Sequence, residues 1–347
     1  TAVIDRTGKL VIAYTDSPVS VDFSDTIVAY RYTDHSVYYA TDGKRIGSYP
    51  GAVGFFEDGL LLCRNADTGL YSYVKQDGST AFSGSYLKAG AFSNGRTLVQ
   101  TQDGDYQAVI DWVKARFGAE IKREWIMWGA GVVTSIFKVI NALTRPGDKI
   151  VIQTPVNTPL YGAVRDTGRE LRTNRLIEKD GYYTMDFDDL ETAFRGGARA
   201  MILCSPHNPI GRVWNRDEID RVVALCRKYD VLLIADEIHA GFIFKGQKQN
   251  SIMNYDYDNA IVMISASKAF NLAGLGMSNI IVRRADYIKR INERSHAAGA
   301  SGGDNNVFGL IAQRTAYEKC GAWLDELTDY IEANVDETLR RIEREMP

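Results

Sequence analysis

The chain has 347 residues, 45% hydrophobic and 24% charged, with 41 Lys+Arg against 44 Asp+Glu and a net charge of −3. That is ordinary globular composition, long enough for two or three domains with buried cores, and its balance argues against a dedicated nucleic-acid binder, which carries a basic patch or stripe. No apolar run approaches the length of a membrane span, and four cysteines (Cys63, Cys204, Cys226, Cys320) without CxxC spacing argue against a disulfide framework or a zinc site and for a reducing cytoplasm.

Composition changes near residue 105. Residues 1–105 hold no Trp, no Met and a single Glu (Glu57), but nine of the 19 Tyr. Such a segment lacks strong helix formers and is rich in the residues of strands and turns. Asp5-Arg6-Thr7-Gly8-Lys9, Ala40-Thr41-Asp42-Gly43-Lys44 and Lys75-Gln76-Asp77-Gly78-Ser79 recur with their glycines 35 residues apart. A second motif follows each: Phe23-Ser24-Asp25, Phe56-Glu57-Asp58-Gly59 and Phe92-Ser93-Asn94-Gly95. Asp-Gly beside apolar alternation predicts hairpins with both central turn residues at positive φ, and a fixed period predicts stacked β-units. The array resembles the WG-type β-repeats of bacterial proteins, without their Trp-Gly pair. Nothing in it identifies a ligand.

Beyond residue 105 helix and strand alternate. The spacing predicts helices over 106–117, 131–143, 159–167, 186–194 and 216–229, with strands at 149–153, 200–204, 231–235, 260–264 and 280–283. From 305 onward the pattern is helical, with a break near Cys320-Gly321. Short runs such as Val231-Leu232-Leu233-Ile234-Ala235 are apolar on both faces, as in central parallel strands covered by helices. The order predicts an open, mostly parallel α/β sheet that binds ligands at its carboxyl edge.

Polar clusters stand at those strand ends: Pro206-His207-Asn208-Pro209, Asp236-Glu237-Ile238-His239 and Ser265-Ala266-Ser267-Lys268, with Gly129-Ala130-Gly131-Val132-Val133 opening the first buried helix. Taken singly, each has a plainer reading: a packing glycine, a rigid turn, a loop cap, a surface lysine. Together their chemistry is complementary. A helix start offers N–H groups to a phosphate, and Ser265 can add a hydroxyl. Asp236 would be a buried carboxylate that needs a cation such as a pyridinium. Asn208 suits a phenolate oxygen, and Lys268 can form an imine with an aldehyde. Phosphate, pyridinium, phenolate and aldehyde together describe pyridoxal 5′-phosphate (PLP).

At these motifs, with Tyr317-Glu318-Lys319-Cys320-Gly321-Ala322-Trp323-Leu324, residues 106–347 resemble a fold-type I PLP enzyme of the aminotransferase class I/II superfamily, in the cystathionine β-lyase/cysteine-S-conjugate β-lyase subgroup. The resemblance implies a PLP-dependent transferase-like large domain, preceded by the all-β repeat module at 1–105. It implies Lys268 as the catalytic, Schiff-base lysine, Asp236 at the ring nitrogen and Asn208 at the phenolate oxygen. Val132 and Val133 N–H with Ser265 would face the phosphate. Gly131, Asn157, His239 and Ser267 complete the candidate cofactor set, and no metal is implied. Asn157 stands where the family has an aromatic that stacks on the ring, and Gly276 where many members have an arginine. The expected N-terminal part of the enzyme is replaced by repeat sequence, and the expected C-terminal small domain, with its carboxylate-binding arginine, is largely lacking. The resemblance further implies an amino-acid substrate and a homodimer. Its function is read as C–S β-elimination to pyruvate, ammonia and a thiol. An aminotransferase, or a non-catalytic β-repeat protein carrying a degenerate PLP domain, are the alternatives.

Overall fold

The computed structural model describes the chain apart from residues 1, 5, 6, 8, 13–17, 83–85, 98, 102, 103, 298–306 and 347. Its internal contacts divide it into two units, Thr1–Asp105 and Tyr106–Pro347.

The first unit is all β. A ribbon of β1 (Val3–Ile4) and β2 (Leu10–Ile12) precedes a four-stranded meander of β3 (Ser20–Phe23), β4 (Ile27–Arg31), β5 (His35–Ala40) and β6 (Arg45–Pro50). A five-stranded sheet follows, β7 (Ala52–Glu57), β8 (Leu60–Arg64), β9 (Tyr71–Lys75), β10 (Tyr86–Ala89) and β11 (Val99–Thr101). The 35-residue recurrence is also structural. Tyr38 and Tyr73 are both buried. Their hydroxyls each donate at 2.6 Å to a carbonyl, of Gly54 and Gly90 respectively. Their rings meet Phe56 and Phe92 edge-on, with centroids 5.6 and 5.0 Å apart. The first repeat cannot be compared, because Asp5, Arg6 and Gly8 lie outside the described residues.

The two turn motifs differ from the expectation in an informative way. Asp58-Gly59 and Asn94-Gly95 have both residues at positive φ, as the two-residue hairpin requires. At Asp42-Gly43 and Asp77-Gly78 only the glycine does. These loops are longer: Gly43 N donates to Ala40 O and Ala40 N to Lys44 O, both at 2.9 Å. In the longer loop one residue takes the left-handed conformation, while the aspartate keeps ordinary φ and caps the next amide but one, Asp42 Oδ1 accepting from Lys44 N at 2.9 Å. A Cβ on Gly43 would also lie 2.2 Å from Val11 O.

Helix α1 (Gly104–Phe117) starts two residues before the second unit, which continues with β12 (Ile126–Gly129), α2 (Val132–Leu143), β13 (Lys149–Thr154), α3 (Pro159–Arg165) and β14 (Glu170–Arg175). A small hairpin, β15 (Ile177–Lys179) and β16 (Tyr182–Thr184), leads to α4 (Phe187–Arg195), β17 (Ala198–Cys204), α5 (Arg216–Tyr229) and β18 (Leu232–Asp236). Then come β19 (Ala260–Ile264), α6 (Ala266–Ala269), β20 (Ser278–Val282), α7 (Ala285–Ala297), α8 (Val307–Lys319) and α9 (Gly321–Glu345). Seven strands form one sheet in the order β12-β20-β19-β18-β17-β13-β14. Four of its six pairings are parallel, whereas β20 is antiparallel to both its neighbours. The connection from β19 to β20 holds only one-turn helices and lacks the crossover helix that usually joins parallel strands.

Strand parity sorts the core. Met201, Leu203, Leu233, Ala235, Val262 and Ile264 pack on the side of α1, α4, α5 and α8. Ala200, Ile202, Cys204, Leu232, Ile234, Ile261 and Met263 pack on the side of α2, α3 and α7. The sheet is therefore covered on both faces, which explains its uninterrupted apolar runs.

Buried Arg169 anchors the far end of α2. Its guanidinium donates to Thr144 Oγ1 (2.9 Å), Thr144 O (2.8 Å), Ile140 O (3.2 Å) and Asn141 Oδ1 (3.1 Å), and also to Thr167 O. One of these acceptors, Thr144 O at the C-cap, lies past the helix's own bonds, and the cation sits at the negative end of the helix. Arg169→Met is expected to destabilise the chain by about 3 kcal/mol in urea denaturation. A loss below about 1 kcal/mol would show that these bonds contribute little.

Candidate active site

Sheet topology collects the candidate residues at one edge. β13, β17, β18 and β19 are parallel, so their carboxyl ends lie together. β20 reverses direction and β12 reverses again, which brings Gly129 at the end of β12 and Ser278 at the start of β20 to that same edge. Cys204 pairs in register with Asp236, and Asp236 with Met263. By parity with Ile234, Asp236 faces the side that carries α2.

The start of α2 is built around missing side chains. A Cβ on Gly129 would stand 2.1 Å from Ser135 Oγ and 2.6 Å from Ser278 Oγ, and these two hydroxyls bond each other at 2.9 Å. Gly131 is the N-cap at φ 136°, and no side chain caps the helix there. The first N–H groups of α2, including those of Val132 and Val133, lack carbonyl partners within the helix, the usual requirement for an anion cradle. The loop after β19 lies against this start. A Cβ on Gly276, itself at φ 53°, would be 3.2 Å from Ala130 O. That conformation and that contact both disfavour the arginine many relatives were expected to carry there. Ser265 caps α6, accepts from Ser267 N at 3.0 Å, donates to Met277 O at 2.6 Å and lies 2.9 Å from Ser267 Oγ. Its proton is thus directed at the chain, and Ser267, less buried, is the freer hydroxyl.

Asp236 is 4% exposed and its Oδ1 accepts from Ile238 N at 3.2 Å. Burial pushes its carboxyl up to about 6, partly opposed by the field of the Lys268 amine. Among the described residues no cation forms an ion pair with it. Burial and the same amine push His239 down. Lys268, at the end of α6, is therefore electrostatically coupled to both. Glu237, beside Asp236, is also buried and is raised to about 7 by desolvation, and its Oε1 accepts from Ile252 N at 2.9 Å. The Cys204 thiol is pushed up to about 12, chiefly by burial, so it is a packing residue and not a nucleophile.

Asn157 and Asn208 are brought together by their backbones, Asn157 N donating to Asn208 O at 2.9 Å. Asn208 and His239 also line an open cleft of about 690 Å³ with Tyr182, Phe242, Phe244 and Ile331. Lys268 and Asp236 are not among its lining residues. Arg212, on the same cleft, is bound in two-point fashion by Glu218 at 2.9 and 2.7 Å. Glu218 in turn forms a capping box with Asn215 at the start of α5. The Asn-x-x-Glu spacing was a legible sign of that cap, but its tie to Arg212 needed the fold. His207, quoted in the motif but given no role from sequence, is buried, 1% exposed, where the two asparagine loops meet.

This arrangement offers an anion cradle, a buried carboxylate suited to a cation, and an amine close to it. The profile of the family "Aminotransferase class I and II" matches residues 84–337. The chain belongs to the aminotransferase class I and II family. The match begins inside the segment read from composition as β-repeat. Residues of the chain are 38% identical over 244 residues to cystathionine beta-lyase PatB of Bacillus subtilis, covering 69% of this chain and 62% of that protein. The fold is similar to that of cystalysin from Treponema denticola, which contains pyridoxal 5′-phosphate, with a TM-score of 0.67 and 35% identity over 71% of this chain and 63% of that one. It is likewise similar to the PLP-bound C–S lyase from Staphylococcus hominis, with a TM-score of 0.67 and 31% identity over 71% of this chain and 62% of that one. The chain thus spans about three fifths of the length of these relatives. Among the described residues, no helix is long and apolar enough to cross a membrane.

Proposed function

We propose that this chain binds PLP and serves C–S β-elimination on a cysteine-type amino acid. The observation that carries the reading is Asp236: a buried carboxylate that forms no ion pair among the described residues, in the field of Lys268, on the sheet face that carries the uncapped start of α2. The donor set fits PLP. Val132 and Val133 N–H, on the turn made by Gly131, with the Ser267 hydroxyl, would hold the phosphate, and Ser265, whose own proton goes to Met277 O, would position Ser267. Asp236 would keep a proton on the ring nitrogen, Asn208 would donate to the phenolate oxygen, and Lys268 would hold the aldehyde carbon. Asn157 and His239 would border the ring. Bound there, PLP supplies an aldehyde that captures the substrate amine and a ring that draws electrons from Cα. Lys268, released by the substrate, would take the Cα proton, and the exclusion of water around Asp236 strengthens its hold on the ring nitrogen. With a thioether sulfur on Cβ, loss of that proton would break the Cβ–S bond and expel the thiolate, which takes up a proton as the thiol, and one water would hydrolyse the remaining three-carbon enamine to pyruvate and ammonia.

The same residues would serve transamination, and the test separates the two outcomes. The PLP-loaded chain is expected to release pyruvate from cystathionine or an S-substituted cysteine without an added keto acid. Turnover that requires a keto acid would assign it to transamination, and an absence of any PLP binding would overturn the whole reading. Family resemblance further supports a homodimer, which sedimentation would read directly. The free state of all four cysteines supports a reducing, cytoplasmic setting.

A further inference from the structure

Two loops leave neighbouring parallel strands at the carboxyl edge: residues 155–158 after β13 and residues 205–212 after β17. Each carries one of the candidate asparagines. Two hydrogen bonds cross between the loops. One is Asn157 N to Asn208 O at 2.9 Å, and the other joins His207 Nε2 to Pro155 O at 2.8 Å. A carbonyl can only accept, so Nε2 carries the proton, and burial keeps the ring neutral. The ring stands edge-on to the Trp214 indole, with centroids 5.5 Å apart. Trp214 is itself fixed by donating from Nε1 to Cys204 O at 3.0 Å. The backbone of His207 closes its own loop, its N donating to Arg212 O and its O accepting from Gly211 N, both at 2.8 Å.

We propose that His207 is a positioning residue, whose Nε2–H staples the 155–158 loop to the 205–212 loop and so sets where the Asn208 amide meets the cofactor. The inference rests on the PLP reading for what Asn208 touches, but the staple itself belongs to the free chain. A merely space-filling ring would be replaced by phenylalanine at little cost. A staple would not, whereas glutamine, whose amide nitrogen can reach the place of Nε2, would preserve it.

Hydrogen exchange on the full chain without PLP tests the staple alone. The amides of Val156, Asn157 and Thr158 are expected to exchange at least about tenfold faster in His207→Phe, and within about threefold of the parent in His207→Gln. With PLP added, His207→Phe is expected to bind about tenfold more weakly and to shift the cofactor's absorbance maximum, which the Asn208 contact tunes, while His207→Gln keeps both near the parent. Unchanged exchange in His207→Phe, or equal defects in both variants, overturns the inference. If the parent chain binds no PLP, the exchange experiment still decides on the staple, and only the reading of the site falls.

Discussion

Lys268→Ala is expected to abolish the visible absorbance band that PLP gives when bound covalently to the parent chain. It is also expected to lower elimination by at least ~10²–10⁴-fold, the range for a lost proton-transfer group. The reason is positional. α6 is a single turn, begun by the Ser265 cap at the end of β19, and it carries Lys268 beside the carboxyl edge. The amine is near enough to act on both Asp236 and His239. Borohydride reduction followed by peptide mapping should place the cofactor on the Lys268 peptide of the parent chain. A band that survives in the alanine variant would assign the covalent link to another lysine and remove the basis of the mechanism.

Asp236→Asn should separate stability from function. Burial raises the Asp236 carboxyl from its ordinary 3.8 to about 6. Between those pH values the folded chain holds a proton that the unfolded chain has released. Its contribution to stability is therefore favourable at low pH, declines as pH rises from about 4 to about 6, and stays lost above. At 1.36 kcal/mol per pH unit the buried carboxylate costs about 3 kcal/mol near neutrality. Glu237, raised to about 7, acts in the same direction and extends the decline. Without PLP, Asp236→Asn should be more stable than the parent at pH 8, by up to ~3 kcal/mol, with a shallower loss between pH 4 and 6. With PLP, a neutral amide cannot hold the ring-nitrogen proton as a carboxylate does, and elimination should fall by ~10²–10³-fold. Denaturation across pH and initial rates check the two halves. A variant that is no more stable at pH 8 and keeps the parent's slope would show that the carboxylate is not destabilising in the free chain. The parent chain should then gain more stability from PLP than the variant does, because the pyridinium compensates a charge that only the parent carries.

Much of this was legible in sequence because the physics is local. Strands buried on both faces must be apolar throughout, so Ala200–Cys204, Val231–Ala235 and Ala260–Ile264 stand out, and α5 spans Arg216–Tyr229 as its apolar spacing predicts. Elements whose burial comes from elsewhere were missed. β12 is four residues long and β14 is a polar edge strand, Glu170-Leu171-Arg172-Thr173-Asn174-Arg175. α7 is a helix with a mostly polar sequence, and the β15–β16 hairpin is exposed along much of its length.

By itself, the sequence determined that the chain changes character near residue 105, and that phosphate-, pyridinium- and aldehyde-directed groups stand at successive strand ends. These follow from composition, period and motif. Only the tertiary structure decided that β20 runs antiparallel, which carries Ser278 and Gly276 to the start of α2. Likewise it decided that Asp236 is buried with no ion pair among the described residues, that Ser265 gives its proton to Met277 O, and that His207 reaches across to Pro155. Each of these depends on which distant segment lies within about 3 Å of a given atom, and hydrogen bonding and desolvation at that range are fixed by folding, not by neighbours along the chain.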